Sequence, residues 1–362
     1  MVDMPPERLP VSIQTLYADL ADRAWTGNFR EIMEAGGSAY KRTVKGRIYW
    51  YWQPPSKGGT RPSAKYLGPD SPAIRRRMQD RSDLAAARRD RLELVRCLRA
   101  ARLPSPDAIS GNVLSALAEA GVFRLRAVLI GSVAFQCYGP LLGFRTSREL
   151  GRTGDLDIGQ CHSIGLAVED EIDADLLTVL QRADPRFEAV SSPYDTRRAA
   201  RYAVRVGQQQ IFSVDILMPQ RGSPRLGPTK LRALKGHAQI PCYLDFLIHR
   251  ETKAVAVHGP GIPVRVPTPE RFALHKLLVS RLRGKATVSQ AKARKDIEQA
   301  GALLQVLAAD RPDELAAAWQ ELLGQGPACK RTAESGRNAL SENLRDLLAA
   351  PANSSHRAPA TE

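Results

Sequence analysis

Three aspartates that stand among aliphatic residues constrain this chain more than any other feature of its sequence. The stretch GDLDIG, residues 154–159, places Asp155 and Asp157 one residue apart, and the later stretch FSVDIL contains Asp215. Successive side chains of a strand alternate between its faces, so Asp155 and Asp157 share one face while their aliphatic neighbours face the core. Two carboxylates about 6 to 7 Å apart repel each other, and burying them without a counter-charge would cost several kcal/mol. The pattern therefore predicts a site for positive charge.

The donor set itself indicates which positive charge to expect. Asp215 stands alone between aliphatic residues on what we predict to be a neighbouring strand, so the three carboxylates would come together. Mg²⁺ prefers carboxylates combined with substrate phosphates. We therefore expect divalent cations and a phosphorylated substrate to neutralise the three aspartates.

A second segment, LIGSVAF, is typical of a phosphate-binding turn. An apolar strand ends at Gly131 and Ser132, directly before a predicted helix. Glycine lets the backbone approach a ligand closely, and the free N–H groups at the start of a helix favour phosphate. The signal is common in α/β folds, so by itself it is weak.

The chain divides into three regions by pattern, followed by a short tail. Residues 1–106 form a basic module rich in aromatic residues, and residues 107–266 alternate helices with strands, which predicts an α/β sheet. Residues 267–350 are predicted to be helical, beginning with Thr268 as N-cap and continuing through two or three further helices. Residues 351–362 are predicted to be a disordered tail.

Charge and aromatic residues in the first region favour a nucleic-acid partner. The chain carries a net charge of +15, which attracts polyanions. Aromatic residues alternate with cations around Gly and Pro turns in a predicted hairpin or three-stranded unit. The residues concerned are Tyr40, Tyr49, Trp50, Tyr51, Trp52 and Tyr66, with Lys41, Arg42, Lys45, Arg47, Lys57, Arg61 and Lys65. An arginine-rich helix from about 72 to 101 would extend this track. Two alternatives stay open. The positive charge could reflect only a biased composition, and half of the aromatic residues could belong to a core.

The cysteines and the hydropathy of the chain indicate in which cellular compartment to expect the protein. The five cysteines are scattered without a C-x-x-C spacing, so we expect reduced thiols rather than disulfides or a zinc site. No basic segment followed by an apolar stretch opens the chain, and no run of eighteen apolar residues occurs. We expect a cytoplasmic protein without a membrane partner.

The order of these motifs resembles that of the nucleotidyltransferase superfamily with the polymerase-β-type fold. The likeness is greatest to the bacterial stand-alone nucleotidyltransferases, including the group of tRNA-modifying toxins. It covers roughly residues 120–305 and includes the helical segments PTPERFALHKLLVSRLR and KARKDIEQA. The interval between Gly131 and Asp155 is longer than is usual in the family. The resemblance implies an α/β (α+β) fold with a mixed-sheet catalytic core, a C-terminal helical domain and the small basic N-terminal module.

The resemblance implies metal-dependent catalysis by the three aspartates. Asp155, Asp157 and Asp215 would hold two Mg²⁺ ions, with Mn²⁺ as an alternative, about 3.5 to 4 Å apart. Asp215 would ligate the ion that activates the acceptor hydroxyl or would itself be the general base.

Further residues would bind the nucleotide if the resemblance holds. Ser132 and the backbone of Gly131 would cradle the β- and γ-phosphates, and Lys276 would neutralise triphosphate charge. Asp296, with Lys295 beside it, occupies the place where the toxin-like group carries a further charged pair.

Three hypotheses about function follow. The leading one is transfer of a nucleoside monophosphate from an NTP to an acceptor hydroxyl with release of pyrophosphate, the acceptor being an RNA and tRNA being favoured. Such an enzyme could be a toxin with an antitoxin protein as partner. The second keeps the reaction but changes the acceptor to a protein side chain or a small molecule such as an aminoglycoside. The third is a nucleic-acid-binding protein without catalytic activity.

Overall fold

A computed structural model describes residues 7–348 except 28, 30, 32–36, 45, 54–63, 161–171, 173, 193–194, 196, 221–226 and 285. The strands are β1 (Ser38–Val44), β2 (Arg47–Gln53), β3 (Lys65–Pro69), β4 (Val128–Ile130), β5 (Asp155–Gly159), β6 (Glu188–Ser191), β7 (Ala199–Val206), β8 (Gln209–Leu217), β9 (Thr229–Leu231), β10 (Gly236–Ala238), β11 (Glu251–Ala256) and β12 (Ile262–Pro267). The helices are α1 (Val11–Thr26), α2 (Pro72–Ala100), α3 (Ala108–Glu119), α4 (Gly131–Leu142), α5 (Arg148–Gly151), α6 (Leu176–Ala183), α7 (Leu244–Ile248), α8 (Pro269–Leu282), α9 (Thr287–Asp310), α10 (Pro312–Leu323), α11 (Pro327–Arg337) and α12 (Glu342–Leu347). The predicted tail lies outside the described residues.

A five-stranded mixed sheet forms the centre of the molecule. Its strand order is β4-β5-β8-β7-β6, with β5 and β8 parallel and the remaining neighbours antiparallel. Leu156 and Ile158 are fully buried on one face of β5, as the alternation predicts. The mixed sheet with packed helices confirms the predicted fold class.

The C-terminal part is helical, as predicted, but it contains more helices than expected. α8 begins at Pro269, and four further helices follow it in the described residues rather than two or three. Proline occupies the first turn of α10 and of α11, where its missing N–H removes no helical hydrogen bond. Thr268 precedes α8 in extended conformation, but its side chain makes no capping hydrogen bond.

The first region contains a three-stranded antiparallel sheet, β1-β2-β3, followed by the long helix α2. α1 packs elsewhere, because the hydroxyl of Tyr17 donates to the carbonyl of Val255 on β11 at 3.1 Å. The indole of Trp25 donates to the carbonyl of Ala254 at 3.0 Å. The N-terminal helix is thus joined to the β11–β12 hairpin, and the domain boundary near residue 106 stays a prediction.

Arg91 is the least expected buried residue of α2. Its guanidinium is buried and donates to the carbonyls of Pro260 at 2.7 Å and Gly261 at 2.6 Å, within the β11–β12 turn. Burial lowers the pKa of Arg91 to about 10. The sequence suggested that the arginines of this helix extend a basic surface track. For Arg91 this expectation is wrong, because Arg91 lies together with Val95 and Leu98 in the buried stripe of α2, at a position that an apolar residue would normally occupy.

Replacing Arg91 with methionine should lower the free energy of unfolding by about 2 kcal/mol, because two buried carbonyls lose their donor. The loss should appear in chemical denaturation as a lower midpoint. Arg89→Met, at an exposed position two residues earlier, should change stability by less than about 0.5 kcal/mol. Equal stability of the two variants would contradict the anchoring role of Arg91.

Within the described part of the chain, no helix is long and apolar enough to cross a membrane. Cys97, Cys137, Cys242 and Cys329 are free thiols, in agreement with the expectation from their spacing.

Candidate active site

The three aspartates meet on two neighbouring strands. β5 and β8 run parallel, and Asp157 and Asp215 are direct partners in their register. Asp155 lies two residues earlier on the same face of β5. Burial raises the pKa of Asp157 to about 7, and the negative charges of Asp155 and Asp215 contribute to this rise, so the three carboxylates interact strongly. The structure therefore brings together the residues that the sequence singled out.

The Gly-Ser turn lies directly against Asp157. Ile130, the last residue of β4, pairs with Asp157 in the antiparallel register, and Gly131 follows with a φ of +73°. A Cβ atom built on Gly131 would stand 2.5 Å from Oδ2 of Asp157, which no residue other than glycine avoids. The long interval between Gly131 and Asp155 is taken up by α4 and α5 and leaves the turn beside the carboxylates.

Two of the three carboxylates are bound to cationic side chains. Arg201 on β7 is the register partner of Asp215 and binds it through both oxygens, with Nε to Oδ1 at 2.7 Å and Nη2 to Oδ2 at 3.0 Å. Lys292 on α9 donates from Nζ to Oδ2 of Asp155 at 2.8 Å. The side-chain carboxylate of Asp157 accepts no hydrogen bond from any residue that the structure describes.

The expectation that divalent cations and substrate alone neutralise the aspartates is therefore wrong in part. Burial raises the pKa of Asp155, but the hydrogen bonds from Lys292 and Thr153 outweigh it and hold the pKa below its ordinary value. Arg201 and Lys292 were missed because nothing in their local sequence shows which strand or helix they will face. For Arg201 the signal exists only in the pairing of β7 with β8.

The donor set at this site fits a hard divalent cation. Carboxylate oxygens are the ligands that Mg²⁺ and Mn²⁺ accept, and Asp157 lacks a compensating partner within the described chain. As the side chains lie, the described residues include no ready group of three ligands, because Asp155 and Asp215 point to Lys292 and Arg201. Asp157 is the residue on which a cation would depend most.

Lys276 and Asp296, both predicted to bind nucleotide, are bonded to each other. Nζ of Lys276 lies 2.7 Å from Oδ1 of Asp296, and both side chains are buried. Arg283 binds the other oxygen of Asp296 at 2.5 Å. Lys276 still acts on the site at longer range, since its charge lowers the pKa of Asp157. A direct contact of either residue with a nucleotide stays a prediction.

Helix α9 presents one polar face to the site. Lys292, Lys295 and Asp296, and then Gln299, recur at the three- and four-residue spacing of a single helix face. Lys295 donates to the carbonyl of Arg152, just before β5. The amide of the fully buried Gln299 donates to Oγ of Ser132 at 3.3 Å and to the carbonyl of Leu150 at 2.5 Å. The spacing predicts that these residues share a helix face, but nothing in the sequence shows that this face packs against the aspartates.

Comparison with known proteins agrees with this geometry. A sequence model described as "Nucleotidyltransferase" matches residues 108–324, which include the sheet and most of the helical part. The chain belongs to this nucleotidyltransferase family. The family implies an enzyme that uses an NTP, and nucleotidyltransferases generally employ divalent metals.

Among solved structures, one match is an antigenic nucleotidyltransferase-like protein from Paracoccidioides brasiliensis. It shares 17% sequence identity, covers 64% of this chain and 94% of its own, and has a TM-score of 0.31. No curated protein sequence matches this chain significantly. The predicted superfamily and enzyme class are confirmed by the family match.

Proposed function

We propose that this nucleotidyltransferase uses Mg²⁺ to transfer a nucleoside monophosphate from an NTP to a hydroxyl group of an RNA, with release of pyrophosphate. The observation that carries the proposal is the register of Asp157 with Asp215 beside the positive-φ turn at Gly131. Asp155, Asp157 and Asp215 would hold the cation. When bound, it neutralises phosphate charge and lowers the pKa of the attacking hydroxyl.

The residues of the turn would position the triphosphate. Gly131 allows the backbone to approach the phosphates closely, and α4 begins there with free N–H groups directed outward along its axis. Gln299 holds Oγ of Ser132, which fixes the hydroxyl next to the turn. Lys292 and Lys295 place positive charge at the edge of the same site.

The reaction exchanges one phosphorus–oxygen bond for another. The acceptor oxygen bonds to the α-phosphorus, the bond from that phosphorus to the bridging oxygen breaks, and pyrophosphate leaves. We assign the proton of the hydroxyl to Asp215, whose carboxylate is oriented by the two hydrogen bonds of Arg201. Positioning and electrostatic stabilisation supply the rate enhancement in such a site.

Charge supports RNA as the acceptor. The net charge of +15 favours a polyanion over a cationic small molecule such as an aminoglycoside. The basic, aromatic first region adds stacking surfaces beside cations. Preference for tRNA, and a toxin role with an antitoxin partner, are further proposals that rest on the resemblance alone.

Label transfer with metal removal tests the proposal. Purified protein is incubated with total cellular RNA or total protein, Mg²⁺ and each of the four NTPs labelled at the α-phosphate. We expect label in RNA from a preferred NTP, complete loss with EDTA, and recovery on adding Mg²⁺ or Mn²⁺. The γ-labelled NTP is the control and should leave RNA unlabelled, because the γ-phosphate departs with pyrophosphate. Label in protein instead would overturn the proposal that RNA is the acceptor, and EDTA-resistant transfer would overturn the requirement for a metal ion.

A further inference from the structure

A groove between the small sheet and α2 has features that the proposed reaction does not use. Its volume is about 590 Å³, and it lies between strands β1 and β2 and helix α2 as far as Arg89. The lining residues that matter for binding are Lys41, Trp50, Trp52, Arg75, Arg81 and Arg89. These residues come from three elements, so the groove is a product of the tertiary fold.

The charge of the groove is of one sign. Among the residues that the structure describes, its lining includes Lys41, Arg75, Arg81 and Arg89 and no acidic residue. Asp70, outside the lining, binds Arg75 at 2.6 Å and also accepts a hydrogen bond from the indole of Trp50 at 2.9 Å. Arg75 is therefore held in place, and Lys41 and Arg89 add positive charge to the described lining.

Aromatic rings accompany these cations. Trp50 and Trp52 lie two residues apart on β2, on the face towards α2, and both are only partly buried. Nζ of Lys41 lies 4.8 Å from the ring centroid of Trp50, and the guanidinium of Arg81 lies 4.4 Å from that of Trp52. Such pairs let a base stack on the ring while the neighbouring cation binds its phosphate.

We infer that this groove binds a single-stranded polynucleotide. A duplex keeps its base faces stacked inside the helix, whereas an open strand offers them to tryptophan rings. RNA and DNA share this chemistry. The inference rests on the proposed function only in identifying the bound strand as the acceptor, because binding itself requires no NTP.

Fluorescence anisotropy with labelled 12-nucleotide RNA, DNA and matching duplex, measured without NTP, tests the groove. Lys41→Glu combined with Arg89→Glu should weaken single-strand binding at least about 10-fold. It should also reduce the slope of log K against log salt by about 1.4, the amount for two phosphates. Arg96→Glu combined with Arg99→Glu is the matched control, because it changes the same charge at exposed positions of α2 outside the groove. The control should lose less than about 2-fold.

Several results would overturn the inference. They are equal loss in the control pair, duplex binding as tight as single-strand binding, and competition by polyglutamate but not by polyuridylate, which would indicate an acidic protein. Preference for RNA or for DNA would identify the natural strand.

Label transfer at saturating RNA separates the two proposals. Intact groove binding without transfer removes the proposed function alone, whereas intact transfer with groove-independent binding removes this inference alone.

Discussion

Replacing Asp157 with asparagine is expected to reduce nucleotidyl transfer by at least about 10³-fold while leaving the protein folded. Asparagine keeps the shape of the side chain but loses the charge that would bind a cation, and the electrostatic stabilisation supplied there amounts to several kcal/mol. Transfer from an α-labelled NTP measures the loss. Asp80→Asn, which removes a carboxylate from an exposed position of α2, should leave transfer unchanged.

The same variant should be at least as stable as the wild-type protein in EDTA. The carboxylate of Asp157 accepts no hydrogen bond from the described residues, and it stands beside two like charges, so neutralising it removes repulsion. We expect the melting temperature to rise by a few degrees. Added Mg²⁺ with NTP should stabilise the wild type and not the variant. A variant that retains a tenth of the activity would contradict the cation-binding role of Asp157, and a variant that unfolds would show that Asp157 has a structural role instead.

Replacing Gly131 with alanine should reduce transfer about 100-fold or more. The new Cβ would stand 2.5 Å from Oδ2 of Asp157, so either the carboxylate or the turn must move. Displacements of about 1 Å at a reacting centre cost on the order of 10²-fold in rate. Steady-state label transfer at saturating NTP measures this effect on kcat.

Gly207→Ala provides a control for backbone strain. Gly207 lies in the β7–β8 turn with a φ of +60°, and a Cβ atom built on it would meet no other atom within 4 Å. Gly207→Ala should lose about 1 kcal/mol in free energy of unfolding, because alanine is strained at positive φ, and Gly131→Ala should lose at least as much. Only Gly131→Ala should lose activity. Similar activity in both would show that the close approach of Gly131 to Asp157 is unimportant for catalysis.

The sequence was a good guide to local structure at this site. The alternation of Asp155, Leu156, Asp157 and Ile158 predicted a strand with one acidic face, and the structure confirms it. The Gly-Ser pair predicted the start of a helix at the end of a strand, and α4 begins there. Both predictions depend only on the two-residue period of strands and on the conformational freedom of glycine, which act over a few neighbouring residues.

The partners of the acidic residues were beyond such reasoning. Arg201 reaches Asp215 through strand register, and Lys292 reaches Asp155 from a helix far along the chain. Lys276 is similar, since the resemblance implied that it neutralises triphosphate charge, whereas the fold encloses it with Asp296. Burial makes an unpaired charge costly. A buried carboxylate therefore pairs with whichever cation the packing brings within reach.

What the sequence determined by itself was the chemistry available: an acidic strand face, a glycine turn and an excess of positive charge. What only the tertiary structure decided was which charges meet, with the side-chain carboxylate of Asp157 left without a hydrogen-bonding partner in the described chain and two tryptophans placed in a basic groove. The physical reason is range. Strand period and glycine conformation are local properties, whereas electrostatic pairing depends on distances that exist only after distant segments have packed together.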